Sequence, residues 1–111
     1  MEARAVARYV RMSPRKVRRV AGLIKGLPVR EAQALLEAMP HRAARVVRRA
    51  LDSAAANAVN NQDMAREELW VSQVWVNAGP TLKRVRFASG GRMGLIRKRI
   101  SHVSVVVSDE E

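Results

Sequence analysis

Eight basic residues, Arg4, Arg8, Arg11, Arg15, Lys16, Arg18, Arg19 and Lys25, occupy residues 4–25 with no acidic residue among them. A second acid-free run of seven, Lys83, Arg84, Arg86, Arg92, Arg97, Lys98 and Arg99, lies nearer the C-terminus, and Arg42, Arg45, Arg48 and Arg49 stand between the two. A guanidinium offers a planar fork of donors that grips phosphate oxygens in pairs and lies flat on a base, whereas an ammonium is a compact point charge. Seventeen of the 21 basic residues are arginine, so the chemistry on offer is phosphate binding. Like-charge runs of this density repel themselves unless a partner supplies the opposite charge. The acids do not: they fall elsewhere, chiefly at Asp63, Glu67, Glu68 and the tail Asp109-Glu110-Glu111.

Other chemistries are poorly provided for. The chain has no cysteine, which removes disulfide frameworks, thiolate nucleophiles and cysteine-ligated zinc. It has no P-loop, no G-x-G-x-x-G, no G-x-S-x-G and no H-E-x-x-H. Its two histidines, His41 and His102, have no carboxylate close to them in sequence. His41 follows Pro40 at a helix start and reads as a capping or surface residue; His102 reads as hydrogen-bonded or facing a nucleic acid. A nuclease would cluster carboxylates around a metal, and here the acids avoid the basic runs. The expectation is a protein that is not an enzyme and takes no cofactor and no metal.

At 111 residues the chain fits one domain with one modest core, and 48% apolar content argues against wholesale disorder. No apolar run approaches the ~20 residues that a membrane span needs. Met1-Glu2-Ala3-Arg4 lacks the apolar centre of a signal peptide, which gives a cytoplasmic expectation. A net charge of +11 then calls for a polyanion, nucleic acid first. Only four aromatic residues exist, Tyr9, Trp70, Trp75 and Phe87. Readers of single strands stack bases on aromatic platforms, so the balance favours the backbone and shape of a folded polynucleotide.

Several elements must hold these side chains in place. Residues 3–11 alternate, with Ala3, Ala5, Ala7 and Tyr9 on one side and Arg4, Val6, Arg8 and Val10 on the other, which predicts a strand with a basic rim. Ser13-Pro14 predicts a helix start, with Ser13 as N-cap and proline in the first turn. Val17, Val20, Ala21 and Ile24 then form an apolar seam, Gly26 ends the helix, and Arg15, Lys16, Arg18 and Arg19 cover its back. A second helix opens near Pro28 with Ala32, Leu35, Leu36 and Met39 inward, and Pro40 stops it. The third, about residues 41–61, sets Val47, Leu51, Ala54 and Ala58 opposite Arg45, Arg48, Arg49 and Asp52; its small Ala54-Ala55-Ala56 face suits close approach to a sheet, and Asn60-Asn61 is its expected stop.

After a polar link at 62–68 the period changes from helical to extended. Residues 69–76 predict a strand, Asn77-Ala78-Gly79-Pro80 a kink or bulge, and 81–87 a second extended stretch. Ser89-Gly90-Gly91 predicts a turn, followed by one returning strand over 95–107. Folding about Gly90-Gly91 pairs Lys83 roughly with Lys98 and Val76 roughly with Val105. Each arm of about twenty residues would reach roughly 65 Å, far beyond the ~13 Å radius of gyration of a domain this size. A two-stranded ribbon alone is marginal in water. The arm must protrude and be held along its length by negative charge.

Four segments occur in order: Met12-Ser13-Pro14-Arg15-Lys16-Val17-Arg18, Ser53-Ala54-Ala55-Ala56-Asn57-Ala58-Val59-Asn60-Asn61, Gly79-Pro80-Thr81-Leu82-Lys83-Arg84, and Arg97-Lys98-Arg99-Ile100-Ser101-His102-Val103. With them the chain closely resembles, from about residue 5 to 107, the bacterial large-subunit ribosomal protein family called L-twenty-two. The resemblance implies an α+β fold, three helices packed on a small antiparallel three-stranded sheet with a long protruding β-hairpin. It implies a single ribosomal-protein domain over 1–111, its globular part about 1–78 with 103–111 and its arm about 79–102. Ser13, Arg15, Lys16 and Arg18 would meet RNA from the globular part, and Lys83, Arg84, Arg97, Lys98, Arg99, Ser101 and His102 would hold the arm. The basic runs add Arg8, Arg11, Arg19, Arg86 and Arg92 to the RNA-binding set. The tip, Ala88, Ser89, Gly90, Gly91 and Arg92, would stand at the wall of the nascent-peptide exit tunnel. The family's tip usually reads Pro-Arg-Ala-x-Gly-Arg-Ala. This chain has Phe87-Ala88-Ser89-Gly90-Gly91-Arg92-Met93, keeping Gly91-Arg92 without the proline and an earlier arginine, and Ile100 replaces a usual threonine.

The expected function is therefore a structural constituent of the large ribosomal subunit that aids its assembly. The implied partners are large-subunit (23S) rRNA, neighbouring large-subunit proteins and the nascent polypeptide, with no membrane, the free protein being monomeric. The alternative is an architectural DNA-binding protein that inserts a basic β-ribbon into a groove. A cationic membrane-surface protein is disfavoured because no helix sets bulky Trp, Phe and Leu opposite a cationic face.

Overall fold

The computed structural model describes residues 1–80, 82–87 and 93–109, with 82–87 and 93–98 described through their backbone. In chain order it holds β1 (Glu2–Val10), α1 (Pro14–Ile24), α2 (Val29–Ala38), α3 (Arg42–Gln62), a short 3₁₀ turn (Arg66–Glu68), β2 (Trp70–Ala78), β3 (Leu82–Phe87), β4 (Met93–Lys98) and β5 (Ser101–Ser108). The expected α+β architecture is present: three helices on an antiparallel sheet ordered β1-β5-β2, with β3 and β4 paired as a separate two-stranded ribbon.

Alternation builds the sheet's inner face. Ala3 and Val71 flank Val107, Ala5 and Val74 flank Val105, and Ala7 and Val76 flank Val103, giving three cross-strand rows of small and β-branched residues. The helices bring the other half of the core. Val17, Val20, Ala21 and Ile24 are the buried stripe of α1, as their spacing predicts. The buried stripe of α3 is Ala43, Ala44, Val47, Ala50, Leu51, Ala54, Ala55 and Ala58, six of whose eight members are alanine. Alanine lets helix and strand backbones approach, and Asn57 Nδ2 reaches across to donate to the Arg4 carbonyl of β1 at 3.1 Å.

Local details differ from expectation for identifiable reasons. Ser13 flanks α1 but its side chain makes no capping hydrogen bond; its carbonyl accepts from Lys16 and Val17 instead. Gly26 stands one residue beyond the C-cap Lys25: with Lys25 extended and Gly26 at φ 83°, the Leu27 N–H bonds the Ile24 carbonyl in a type II turn, which needs positive φ at that position. This turn sends 26–29 alongside the start of β2, where Gly26, Val29 and Val71 donate to Val71, Leu69 and Leu27. α3 runs through Asn60-Asn61 to Gln62 and stops where Asp63 turns left-handed at φ 53°. Within α2 Leu35 is exposed, Met39 is partly buried beyond the helix end, and Val29 is buried in their company instead.

The returning strand is two strands. Pairing of β2 with β5 ends at Ala78↔Ser101 and pairing of β3 with β4 begins at Leu82↔Lys98, so the kink expected around Gly79-Pro80 separates two ladders. Proline has no N–H to give, and Gly79 closes the first ladder by donating to the Ile100 carbonyl at 2.7 Å. The register is also shifted: Lys83 faces Arg97, not Lys98, and Val76 faces Val103, not Val105. A bulge between Val71 and Gln73 moves the pairing once more towards the sheet's end. The expected turn at Ser89-Gly90-Gly91 lies outside the described residues.

Candidate nucleic-acid interface

The seam of α1 takes its apolar side inward and leaves Arg15, Lys16 and Arg19 exposed on the other. Three further elements converge on that exposed side. The β1–α1 connection turns tightly, Met12 N–H to Val10 carbonyl at 2.8 Å, with Arg11 at its apex. The start of α3 contributes His41 and Arg42, and the root of the arm contributes Arg99. Together they wall an open cleft of about 1290 Å³ whose apolar lining includes Met12, Val20, Leu23, Met39 and Ile100. Six of its lining residues, Arg11, Arg15, Lys16, Arg19, Arg42 and Arg99, are cations, and none is a carboxylate.

Electrostatics separates this cleft from the rest of the surface. Among the described residues Arg48 is the one Lys or Arg side chain paired with carboxylates, reaching Glu37 and Asp52 at 3.9 Å each. That pair belongs to a second, smaller cleft of about 590 Å³ between α2 and α3, where Arg30, Arg48 and Arg66 share the walls with Glu37 and Asp52. There the protein neutralises itself. In the first cleft it leaves forked donors unanswered beside an apolar lining, the arrangement that binds phosphates bidentately and lets a ribose or base edge lie beside them.

Several residues expected at the interface are engaged internally. Arg18 is exposed, yet its Nε and Nη2 both donate to the Val76 carbonyl of β2, at 3.1 and 2.9 Å. Its fork ties α1 to the strand that leads into the arm. Ser101 is wholly buried and its hydroxyl donates to the Met12 carbonyl at 2.6 Å, so it fastens the β1–α1 connection to β5 and does not face outward. His102 is half-buried; its Nδ1 accepts the Tyr9 N–H at 3.0 Å, and its ring meets the Tyr9 ring edge-on at 5.0 Å. Its Nε2 would lie 2.9 Å from any Cβ added to Gly79, so Gly79 is where the chain leaving β2 passes hard against the histidine. Ser13 is half-buried and lines the cleft, whereas Arg8 is exposed on β1 and is not among the cleft's walls. The side chains of Lys83, Arg84, Arg86, Arg97 and Lys98, and the tip residues Ala88, Ser89, Gly90, Gly91 and Arg92, lie outside the described residues.

Two participants were not expected. Arg42 was visible as a cation at a helix start, but its proximity to Arg15 and Arg99 is a tertiary fact. Alternation groups Tyr9 with Ala3, Ala5 and Ala7; a bulge between Ala7 and Val10, with Tyr9 itself at φ 57°, separates it from them and leaves it 64% exposed. A left-handed aromatic costs about 1–2 kcal/mol of backbone strain. Among the described residues no three His, Cys, Asp or Glu side chains cluster as metal ligands, and no helix is long and apolar enough to cross a membrane.

An α+β domain with an acid-free arginine cleft at the root of a two-stranded ribbon has the surface of a polyanion-binding protein. A family model described as "Ribosomal protein L22p/L17e" matches residues 5–108. The "Large ribosomal subunit protein uL22" of Halothermothrix orenii is 51% identical over 111 residues, covering 100% of this chain and 98% of the relative. Those of Pelotomaculum thermopropionicum and Thermus thermophilus are 52% identical over 111 residues and 49% over 110, covering 100% and 99% of this chain and 98% and 97% of the relatives. The chain belongs to this ribosomal protein family, the one its sequence resembles, and the family is structural and non-enzymatic.

Proposed function

We propose that the chain is a structural constituent of the large ribosomal subunit that binds 23S rRNA by neutralising its phosphates along the arginine cleft and the basic arm. The observation that carries this reading is the cleft itself, six cations beside an apolar lining with no carboxylate in its walls. Arg11, Arg15, Lys16, Arg19, Arg42 and Arg99 contact phosphates there together with Ser13, and Arg8 adds a contact from the exposed side of β1. Lys83, Arg84, Arg86, Arg92, Arg97 and Lys98 continue the contacts along the arm. Arg18, Ser101 and His102 act through the joint between cleft and arm. The globular part, about 1–78 with 103–111, anchors on the subunit, and the arm, about 79–102, carries Ala88–Arg92 to the wall of the exit tunnel beside the nascent chain. Neighbouring large-subunit proteins complete its surroundings, and the free protein is a monomer. A DNA-ribbon function has no support from relatives that all carry a large-subunit name.

Binding of the full chain to transcribed large-subunit rRNA tests this. With some 6–10 phosphates contacted, affinity falls by about 10³–10⁵ between 50 and 200 mM salt. A flat salt dependence, or equal affinity for duplex DNA of the same length, would overturn it.

A further inference from the structure

Tyr9 stands out on this surface. It combines a left-handed backbone at φ 57°, 64% exposure of a large ring, and a main-chain anchor, its N–H held by His102 Nδ1 at 3.0 Å. A single exposed apolar side chain needs no explanation. An aromatic held out by strained backbone does, because relaxing β1 into regular pairing would turn the ring inward and recover the strain. The ring is also braced: the His102 imidazole meets it at 88° and limits where it can swing. Arg8 precedes it in sequence and Arg11 lies two residues beyond it, both exposed, and Arg11 lines the cationic cleft.

We propose that Tyr9 is a stacking site for one unpaired nucleobase of the bound RNA. This rests on the RNA-binding reading above and adds a recognition element to it. A base inside a helix has both faces covered by its neighbours, so a fixed, exposed ring selects a base that is bulged or splayed from the fold. Cations on either side hold the phosphates of that nucleotide while the ring takes its face. The general surface reads charge and shape; Tyr9 marks one point in the RNA where a nucleotide must stand free.

The test compares Tyr9→Phe and Tyr9→Gly with the unaltered chain on transcribed large-subunit rRNA across a salt series. Glycine removes the ring and also relieves the left-handed backbone, so the variant folds at least as stably. Phenylalanine keeps the stacking face. The glycine variant loses about 5- to 140-fold in affinity, the range that follows from removing a base-stacking aromatic, with the salt slope unchanged, and phenylalanine stays within about threefold. Ultraviolet cross-linking followed by mass spectrometry yields a nucleotide adduct on the Tyr9 peptide. A glycine variant that binds like the parent, or adducts confined to other peptides, overturns the stacking site and leaves the phosphate mechanism standing. An unaltered chain without rRNA affinity overturns the proposed function itself.

Discussion

A methyl group placed on Gly79 would lie 2.9 Å from His102 Nε2 and 3.2 Å from Ile100 Cγ2. The imidazole cannot simply swing away, because its Nδ1 accepts the Tyr9 N–H and its ring abuts the Tyr9 ring. Gly79→Ala therefore destabilises the fold, by about 1 kcal/mol, the low end of the overpacking range because the site is only partly buried, read as a lower urea midpoint at unchanged slope. Adding His102→Ala makes room, so the glycine substitution costs at least ~0.5 kcal/mol less in that background; equal costs in both would show that the histidine is not what the methyl meets. Spacing alone could not have revealed this contact. Basic side chains advertise their chemistry individually, which is why Arg11, Arg15, Lys16, Arg19 and Arg99, which the fold gathers in one cleft, could be named as candidates from the sequence. Ser101, Arg18 and Gly79 depend on which atoms the tertiary fold brings opposite them, and the sequence holds no local sign of it.

At the scale of elements, periodicity carries most of the information and bulges destroy it. The inward residues of α1 and α3 follow a 3.6-residue spacing with no interruption, so those helices could be read to within two residues of their ends. β1 reads correctly through Ala7 and wrongly at Tyr9, because one bulge exchanges the two faces of a strand. The return splits into β4 and β5 for a different reason, because the ladder with β2 ends at the Gly79-Pro80 kink and the ladder with β3 begins beyond it. Two substitutions test how the elements are joined. Ala54→Leu inserts bulk into the wholly buried, alanine-rich face of α3, and is expected to cost about 1–3 kcal/mol or more in urea unfolding. Arg18→Ala removes both donors to the Val76 carbonyl. Because the side chain is exposed, the loss is expected near 1 kcal/mol, below the full value for a charged hydrogen bond, and Arg18→Lys recovers only part of it, since one ammonium cannot reproduce the fork.

The molecule as a whole is elongated, 61 × 25 × 18 Å with a Cα radius of gyration of 16.9 Å, against ~13 Å for a compact chain of this length. The core lies among the helices and the β1-β5-β2 sheet, whereas β3 and β4 pair only with each other. Charge follows the same division: the arm's basic run has no acid of its own to balance it. If folding and binding are divided in this way, they can be separated by surgery at the joint. A variant in which residues 81–98 are replaced by a two-residue Asn-Gly turn keeps the last β2–β5 pair, Ala78↔Ser101, and all of the buried core. Its thermal midpoint should fall within a few degrees of the parent's, since a lone ribbon contributes little in water. Its affinity for large-subunit rRNA should drop, and the log–log salt slope should shrink by about 0.7–0.9 for each phosphate the arm had neutralised. A collapse of the thermal transition would mean that the arm belongs to the folding unit. An unchanged salt slope would mean that the cleft alone meets the RNA, leaving the six cations of residues 81–98 to some other partner.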